Sequence, residues 1–347
     1  MHKFLFKGFA IVVLAASLGL GWFLVDYWDF LNSPLELSAG EETFEVAPGT
    51  SMRGIAGQLH ARGVIRSPRY FEWHARLRGV AGSLHAGEYR LLPELTPAQL
   101  IENMSQGKVM LHAVTIVEGW TFRQMLEILH ANEHLQHTLR GLEPEEIMAR
   151  LGYPDEHPEG QFFPDTYRFP SGTSDLAVLA RAYQATQEHL AREWQTRDPD
   201  VPLDSPYEAL ILASIVEKET GVPSERGQIA GVFARRLQKG MRLQTDPTVI
   251  YGLGTGFDGN LRRRHLREDG PYNTYRRGGL PPTPIALPGL ASIQAALHPE
   301  PGDTLYFVSR GDGSHVFSAT LQEHNEAVIR YQLKGRKQPF SSYGAAQ

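Results

Sequence analysis

The stretch Ser214-Ile-Val-Glu-Lys-Glu-Thr220 places two carboxylates on an otherwise largely apolar segment. The polar sequence Met241-Arg-Leu-Gln-Thr-Asp-Pro-Thr248 begins 21 residues later. Apolar spacing between Glu208 and Glu219 predicts a helix that leads toward this loop. A carboxyl group half-sunk in apolar surroundings has a raised pKa and can donate a proton near neutral pH. The stretch therefore indicates an acid catalyst beside a polar loop.

The two carboxylates are not equivalent on a helical wheel drawn at about 100° per residue. Glu219 falls within the apolar arc near one edge, and Glu217 lies just beyond the other edge. They therefore point apart and are not expected to share one proton, and the wheel favours Glu219 as the group that faces a cleft. The alternative is that both are surface carboxylates in weak ion pairs with Lys218, Arg226 or Arg235.

The composition of the chain is that of an ordinary folded protein. It has 347 residues, of which 41% are hydrophobic and 21% charged, and this length predicts about two domains. The net charge of −5 and the pI of about 6.3 leave no basic field for a nucleic-acid partner.

The sequence favours neither a metal site nor a bound cofactor. It has no cysteine, which excludes disulfides, thiolate catalysis and Cys-ligated zinc. Its 14 histidines do not form the His-Glu-x-x-His pattern of zinc proteases. Nucleophile-elbow, phosphate-loop and dinucleotide-binding motifs are also missing from the sequence.

The N-terminus predicts a membrane anchor. Lys3 and Lys7 precede an 18-residue run without charge, Gly8 to Val25, and aromatic residues cluster at its far end. Such a run can span a bilayer, and the lysines favour a cytoplasmic N-terminus with the body outside. The alternative, a cleaved signal peptide, usually has a shorter apolar core of about 7–15 residues. We predict a cytoplasmic segment 1–7, an anchor 8–28 and a polar linker 29–42.

Beyond the linker, the pattern predicts an α+β protein. Residues 43–112 show the order β-α-α-β-α, which suits either a small carbohydrate-binding module or a structural spacer. Residues 113–347 form a larger mixed α+β domain. Near its end, Thr304 to Ser309 and Ser314 to Phe317 predict a β-hairpin over Gly311-Asp-Gly313.

A Gly/Pro-rich stretch in the larger domain is a second candidate site element. Tyr272-Asn-Thr-Tyr275 precedes Gly278-Gly-Leu-Pro-Pro-Thr-Pro-Ile285. Long loops without regular structure are often functional, and the amide, hydroxyl and tyrosine side chains suit contact with sugar rings. The stretch is either a rigid groove lining or a structural wrap over the domain.

These motifs together resemble those of the MltG (YceG-like) family of endolytic murein transglycosylases. The resemblance runs in order along nearly the whole chain, which makes it far more specific than any single short pattern. It is carried by Glu118-Gly119, Phe163-Pro-Asp-Thr-Tyr167, Ser214–Thr220, Arg242–Val249, Tyr272–Tyr275, Gly279–Pro282 and Ala295–Pro299.

The resemblance implies a single inner-membrane helix, a LysM-like subdomain over 43–112 and a catalytic domain over 113–347 on the wall side of the membrane. It implies cleavage of the β-1,4 bond between MurNAc and GlcNAc inside nascent peptidoglycan strands. The product would be a 1,6-anhydro-MurNAc end, and cleavage would terminate strand elongation. Peptidoglycan synthases become candidate partners. No cofactor is implied.

The family's essential glutamate corresponds to Glu219, and the charge of its neighbour Glu217 is expected to help keep it protonated. Motif match and polarity mark five residues as candidates for holding the sugars: Gln244, Thr245, Asp246, Asn273 and Tyr275. Two other functions stay open, namely a non-catalytic peptidoglycan-binding scaffold of the wall-synthesis machinery and a hydrolytic muramidase.

Overall fold

The computed structural model describes residues 2–37 and 42–333. Residues 38–41 of the predicted linker and the segment 334–347 lie outside the described residues. The chain divides into two units: residues 1–112 with 168–172, and residues 113–167 with 173–347. Helices and short strands occur in both, so the predicted α+β class is confirmed.

The first unit contains one long helix, three short helices and an antiparallel pair of strands. Strands β1 and β2 pair in the register Thr43↔Arg90 to Val46↔Gly87. Each of the three short helices begins after a serine or threonine whose hydroxyl accepts a backbone N–H of the first turn. The elements are α1 (His2–Asn32), β1 (Thr43–Val46), α2 (Met52–Ala61), α3 (Pro68–Leu77), β2 (Gly87–Arg90) and α4 (Pro97–Ser105).

Helix α1 is long and apolar enough over Phe6–Asn32 to cross a membrane, by length and composition. It does not end with the apolar run. Phe30 and Leu31 in its last turns are buried in the core of the first unit, as is Leu35 beyond it. The sequence predicted a polar linker from residue 29, but these apolar side chains make 30–35 part of the folded unit.

The second unit is mainly helical, with short two-stranded sheets. Strands β3 (Leu111–Thr115) and β5 (Thr166–Pro170) pair with each other. Single 3₁₀ turns occur at Pro223–Glu225 and Gly254–Gly256. The elements are β3 (Leu111–Thr115), α5 (Phe122–Ala131), β4 (Leu135–Gln136), α6 (Pro144–Leu151), β5 (Thr166–Pro170), β6 (Thr173–Ser174), α7 (Asp175–Gln195), α8 (Pro206–Glu219), α9 (Arg226–Gln238), α10 (Asp246–Leu253), α11 (Arg263–Arg267), α12 (Leu290–Leu297), β7 (Tyr306–Ser309), β8 (His315–Ser318) and α13 (Leu321–Tyr331).

Helix α8 is the centre of the second unit. Eight consecutive residues, Ala209 to Val216, are buried, so the middle of the helix is enclosed on all sides, where the wheel predicted a single apolar face. It packs against α7, α9, α10 and α12. Its start is defined by Ser205, whose hydroxyl accepts the N–H of Glu208 at 3.2 Å.

The predicted C-terminal hairpin is confirmed. Strands β7 and β8 pair antiparallel in the register Tyr306↔Ser318 to Ser309↔His315. Helix α13 follows and packs on both strands, burying Val308, Ala327 and Val328 between them. This hairpin and helix together form one wall of the site described below.

A buried carboxylate organises the start of α7. Asp175 is fully buried and accepts hydrogen bonds from the N–H of Thr138 at 2.9 Å, the hydroxyl of Thr138 at 2.6 Å and the N–H of Leu139 at 3.2 Å. It thereby ties the 138–139 segment to the first turn of α7, where a negative charge is also favoured by the helix dipole.

Replacing this carboxylate should destabilise the protein. Asp175→Ala leaves buried donors without a partner, and we expect a loss of about 3 kcal/mol in the free energy of unfolding. Glu188→Ala, on the exposed face of the same helix, should change it by less than about 0.5 kcal/mol. Urea unfolding of the two purified variants, followed by circular dichroism, compares them. Equal stabilities would contradict the assigned role of Asp175.

Candidate active site

Glu219 is the last residue of α8, and Thr220 after it is already extended. The buried part of the helix ends at Val216, one turn earlier, so the carboxyl group lies where the buried core meets a cavity. Glu219 is partly buried and lines that cavity. Unpaired carbonyls at a helix C-terminus carry partial negative charge, which disfavours an ionised carboxylate there.

The polar loop predicted from the sequence lies directly beside Glu219. The hydroxyl of Thr245 donates a hydrogen bond to Glu219 Oε1. Gln244 adopts a positive φ of 53°, a rare conformation for a residue other than glycine, and its N–H donates to Thr274 O at 3.2 Å. The turn at Gln244 is therefore coupled to a specific contact with the 272–275 segment.

Three buried threonines hold the two loops together. Thr245 N–H donates to the Thr274 hydroxyl at 3.1 Å, and the hydroxyls of Thr248 and Thr274 lie 2.9 Å apart. The Thr248 hydroxyl also donates to Thr245 O at 2.9 Å. Because all three residues are buried, these bonds form away from water and give the loop a defined position against α8.

Arg236 of α9 links the loop to the hairpin. Its guanidinium donates to Leu305 O at 2.7 Å and Leu243 O at 2.9 Å, and lies 5.0 Å from the ring centre of Tyr306. It also donates to Gln244 Oε1 at 3.3 Å. This side chain is buried, so its charge is held near Glu219 while its donors are satisfied by the backbone.

Burial raises the pKa of Glu219 to about 7. The hydrogen bond from Thr245 opposes this shift, the negative charge of Asp246 adds to it, and the positive charge of Arg236 opposes it. The carboxyl group is therefore substantially protonated at neutral pH and can both donate and accept a proton there.

The cavity over Glu219 has a volume of about 530 Å³. One part of its wall is the loop that follows α9, and another is formed by β7, β8 and α13. On the latter, His324 stacks against Tyr306 with ring centres 5.2 Å apart. Burial and the charge of Arg236 lower the pKa of His324 to about 4, so its imidazole is neutral at neutral pH. Its Nδ1 has no protein partner among the described residues.

The structure brings together four of the five predicted sugar-binding residues. Gln244, Asp246 and Tyr275 line the cavity, and the Tyr275 hydroxyl donates to Asp246 Oδ1 at 2.6 Å. Thr245 is buried behind them against Glu219.

Asn273 is differently placed. It is buried, and its side-chain amide donates to His265 O at 3.0 Å and Glu268 O at 2.6 Å. Its Oδ1 accepts the N–H of Tyr275 at 3.0 Å. The side-chain amide of Asn273 thus bonds to backbone groups of neighbouring residues. Asn273 therefore positions Tyr275 instead of facing a sugar.

Glu217 points away from Glu219, as its place on the wheel predicted. Its Oε2 accepts the Ser292 hydroxyl at 2.7 Å and the N–H of Gly289 at 3.1 Å, at the start of α12. A carboxylate is favoured at a helix N-terminus. The expectation that the charge of Glu217 keeps Glu219 protonated is therefore corrected. Burial and the charge of Asp246 raise the pKa of Glu219, whereas Glu217 anchors the start of α12.

The alternative of surface ion pairs fails for Glu219. Lys218 donates to Gly119 O at 3.0 Å, Arg226 lies 3.8 Å from Glu217, and Arg235 donates to Thr304 O at 2.7 Å. Among the described residues, no salt bridge involves Glu219.

Sequence reasoning missed Arg236, Tyr306 and His324. Arg236 follows Arg235 near the end of the stretch Ile229 to Leu237 of α9, and only the structure distinguishes the two, because Arg236 is the buried one. The other two come from the hairpin and α13, whose distance along the chain from Glu219 hides their proximity.

A second buried carboxyl lies elsewhere in this unit. Glu159 accepts the N–H of Phe122 at 2.9 Å and the Tyr251 hydroxyl at 3.1 Å, and burial raises its pKa to about 7. It is not one of the residues that line the Glu219 cavity. A raised pKa alone therefore does not distinguish the site; the cavity does.

Comparison with known proteins identifies the family. A family model described as the YceG-like family matches residues 44–330. The chain belongs to the YceG-like family. This confirms the resemblance carried by the sequence motifs, and the matched range contains every residue of the Glu219 site named above.

Curated relatives in this family share one name. A protein of Bacillus subtilis named endolytic murein transglycosylase is 32% identical over 323 residues, covering 88% of this chain and 89% of the relative. A protein of Streptococcus pneumoniae serotype 2 with the same name is 26% identical over 365 residues, covering 92% of this chain and 63% of the relative.

The fold is also similar to a solved structure. The crystal structure of a yceG-like protein from Listeria monocytogenes matches with a TM-score of 0.53 and 33% sequence identity. The match covers 82% of this chain and 98% of that chain.

The raised pKa of Glu219 predicts a pH-dependent stability difference. An acid whose folded-state pKa of about 7 exceeds its unfolded value binds more protons when folded, so stability falls as pH rises from about 4.5 to 7. Glu219→Gln removes this loss. We expect the variant to gain on the order of 2–3 kcal/mol over the parent at pH 8 compared with pH 4.5.

Chemical unfolding at the two pH values measures this difference. Glu188→Gln, an exposed residue of α7, is the control and should show nearly the same difference from the parent at both pH values. If Glu219→Gln behaved in the same way as this control, the raised pKa of Glu219 would be refuted.

Proposed function

We propose that this protein is a membrane-anchored endolytic murein transglycosylase. The observation that carries the proposal is the carboxyl group of Glu219, partly buried at the end of a core helix, with a raised pKa and a cavity above it. The shared name of the curated relatives supports the same reaction. The substrate is the peptidoglycan glycan strand, cut at the MurNAc–GlcNAc β-1,4 bond.

One carboxyl group suffices for this chemistry. Ordinary glycosidases use two, one to protonate the leaving oxygen and one to attack or to activate water. Here Glu219 donates its proton to the glycosidic oxygen as the bond to C1 of MurNAc breaks. The C6 hydroxyl of the same MurNAc then bonds to C1 and returns its proton to Glu219. Water is not consumed, and the new end is 1,6-anhydro-MurNAc.

The neighbours of Glu219 stabilise its carboxyl group in the protonation state that each of the two proton transfers needs. Thr245 stabilises the carboxylate left after donation, because its hydroxyl donates to that group, and Asp246 favours the protonated form needed at the start. Gln244 and Tyr275 line the cavity and are proposed to hold the sugars. Neutral His324, stacked on Tyr306, adds a polar and an aromatic surface suited to a sugar ring.

The N-terminal part of the chain is proposed to determine where the enzyme lies in the cell. We propose that α1 crosses the cytoplasmic membrane once, with the N-terminus in the cytoplasm and the rest on the wall side, following the two lysines ahead of the apolar run. The β-α-α-β-α order of residues 43–112 supports a LysM-like subdomain. Cleavage within nascent strands would terminate their elongation and makes peptidoglycan synthases candidate partners.

Glu219→Gln should abolish glycan cleavage by removing the exchangeable proton. The assay is digestion of purified glycan strands by the full-length protein in detergent, with product masses read directly. Anhydro ends are expected from the parent protein. Reducing ends, heavier by one water, would instead indicate a hydrolytic muramidase.

The matched control for this variant is Glu159→Gln. It replaces a second buried carboxyl whose pKa is also about 7 but which lies outside the cavity lining, and cleavage should persist. A parent protein that binds glycan strands without cutting them would instead be a scaffold. Undiminished cleavage by Glu219→Gln would mean that another group is the acid.

Two further variants should move the pH profile in opposite directions. Because the protonated form of Glu219 starts the reaction, activity falls as pH rises through its pKa of about 7. Thr245→Val removes a bond to the carboxylate, raises the pKa and should shift this alkaline limb to higher pH. Asp246→Asn removes a negative charge and should shift it to lower pH. Rate–pH profiles of the two variants measure these shifts. An alkaline limb that stays in place in both variants, or moves in the same direction in both, would argue against Glu219 as the acid.

A further inference from the structure

Helix α3 of the first unit runs along the outer end of α1. Arg66, just before α3, pairs with Asp29 at 2.7 Å, and the Tyr70 hydroxyl donates to Asp26 at 2.9 Å. One turn later, Trp73 meets Phe23 edge to face, with ring centres 5.7 Å apart. As α3 advances, its contacts move back along α1, so α3 descends toward the apolar run.

The contact between Trp73 and Phe23 shows how far α3 extends along α1. Phe23 lies inside the uncharged run Gly8 to Val25, whereas Asp26 and Asp29 lie beyond it. The early part of α3 therefore meets the polar end of the span, and Trp73 meets its apolar part. Phe30, five residues past Val25 and about 8 Å farther along the helix, is already buried in the core of the first unit. The fold begins directly where the apolar run ends.

The C-terminal end of α3 exposes large apolar groups at this same level. Trp73 is 53% exposed and Leu77, one turn farther, is 75% exposed. Trp73 adjoins α1 through its contact with Phe23, and on α1 Trp22 and Trp28 are also largely exposed. Tryptophan is enriched at the interface between hydrocarbon and headgroups, because its ring is apolar and its N–H is polar.

We propose that the C-terminal end of α3 inserts Trp73 and Leu77 into the outer interfacial layer of the bilayer that α1 spans. This inference rests on the proposed anchor. The first unit is then attached to the membrane at two points, the span and the tip of α3, instead of turning freely on a single helix. The occupant of this apolar surface is lipid, since the surface continues that of the span.

Site-directed spin labelling tests the insertion. The chain has no cysteine, so one introduced thiol labels a single site of the full-length protein, reconstituted in nanodiscs of phosphatidylcholine and phosphatidylglycerol. Leu77→Cys is the test position. Val25→Cys, at the end of the apolar run, is the lipid reference. Asn32→Cys, an exposed position about 10 Å farther along α1, is the aqueous reference.

Accessibility to oxygen, which concentrates in lipid, is compared with accessibility to a water-soluble nickel complex. The Leu77 label should favour oxygen, as the Val25 label does, while the Asn32 label favours nickel. A Leu77 label that behaves like Asn32, with Val25 in lipid, overturns the insertion and leaves the anchor intact. A Leu77 label shielded from both reagents also overturns it and indicates a protein partner or a second copy. A Val25 label in water overturns the anchor and the insertion together.

Discussion

The second unit depends on the enclosure of α8. Eight successive residues of this helix are buried on every side, so the group at its end cannot be solvated as a surface carboxylate would be. The desolvation of Glu219 follows from this packing and from no single contact. Burial beside the core that surrounds α8 raises its pKa to about 7, while the carboxyl group still lines the cavity.

The polar groups around Glu219 are held in place mainly by bonds to one another and to the backbone, and Thr245 alone bonds to the carboxyl group, at Oε1, among the described hydrogen bonds. Thr245, Thr248 and Thr274 bind each other, and Arg236 binds backbone carbonyls of the loop and of the segment entering β7. Glu219 therefore keeps its second oxygen available to a substrate. Such separation of positioning contacts from the reacting group suits the acid/base role proposed for Glu219, since its carboxyl group would have to donate and then accept a proton.

The first unit follows a different constraint. Its long helix is apolar enough over Phe6–Asn32 to cross a membrane, and the same helix ends in the core of the unit, where Phe30 and Leu31 are buried. The transition from the exposed apolar run to the buried core is therefore short. Asp26, Asp29, Arg66 and Tyr70 form the polar ring at this transition. The exposed apolar tip of α3 below that ring follows from the same geometry, because α3 packs antiparallel to α1 along its outer turns.

The sequence by itself determined the α+β class, the apolar N-terminal helix, the C-terminal hairpin and the family, and it favoured Glu219 over Glu217 as the candidate acid. These follow from local periodicity, turn residues and ordered motifs, which are properties of neighbouring residues. Only the tertiary structure decided that Asn273 serves its own loop, that Glu217 anchors α12, and that Phe30, Leu31 and Leu35 belong to a core. It also brought Arg236, Tyr306 and His324 to Glu219. Such contacts join residues far apart in the chain, and no local pattern records them because they depend on how the helices pack.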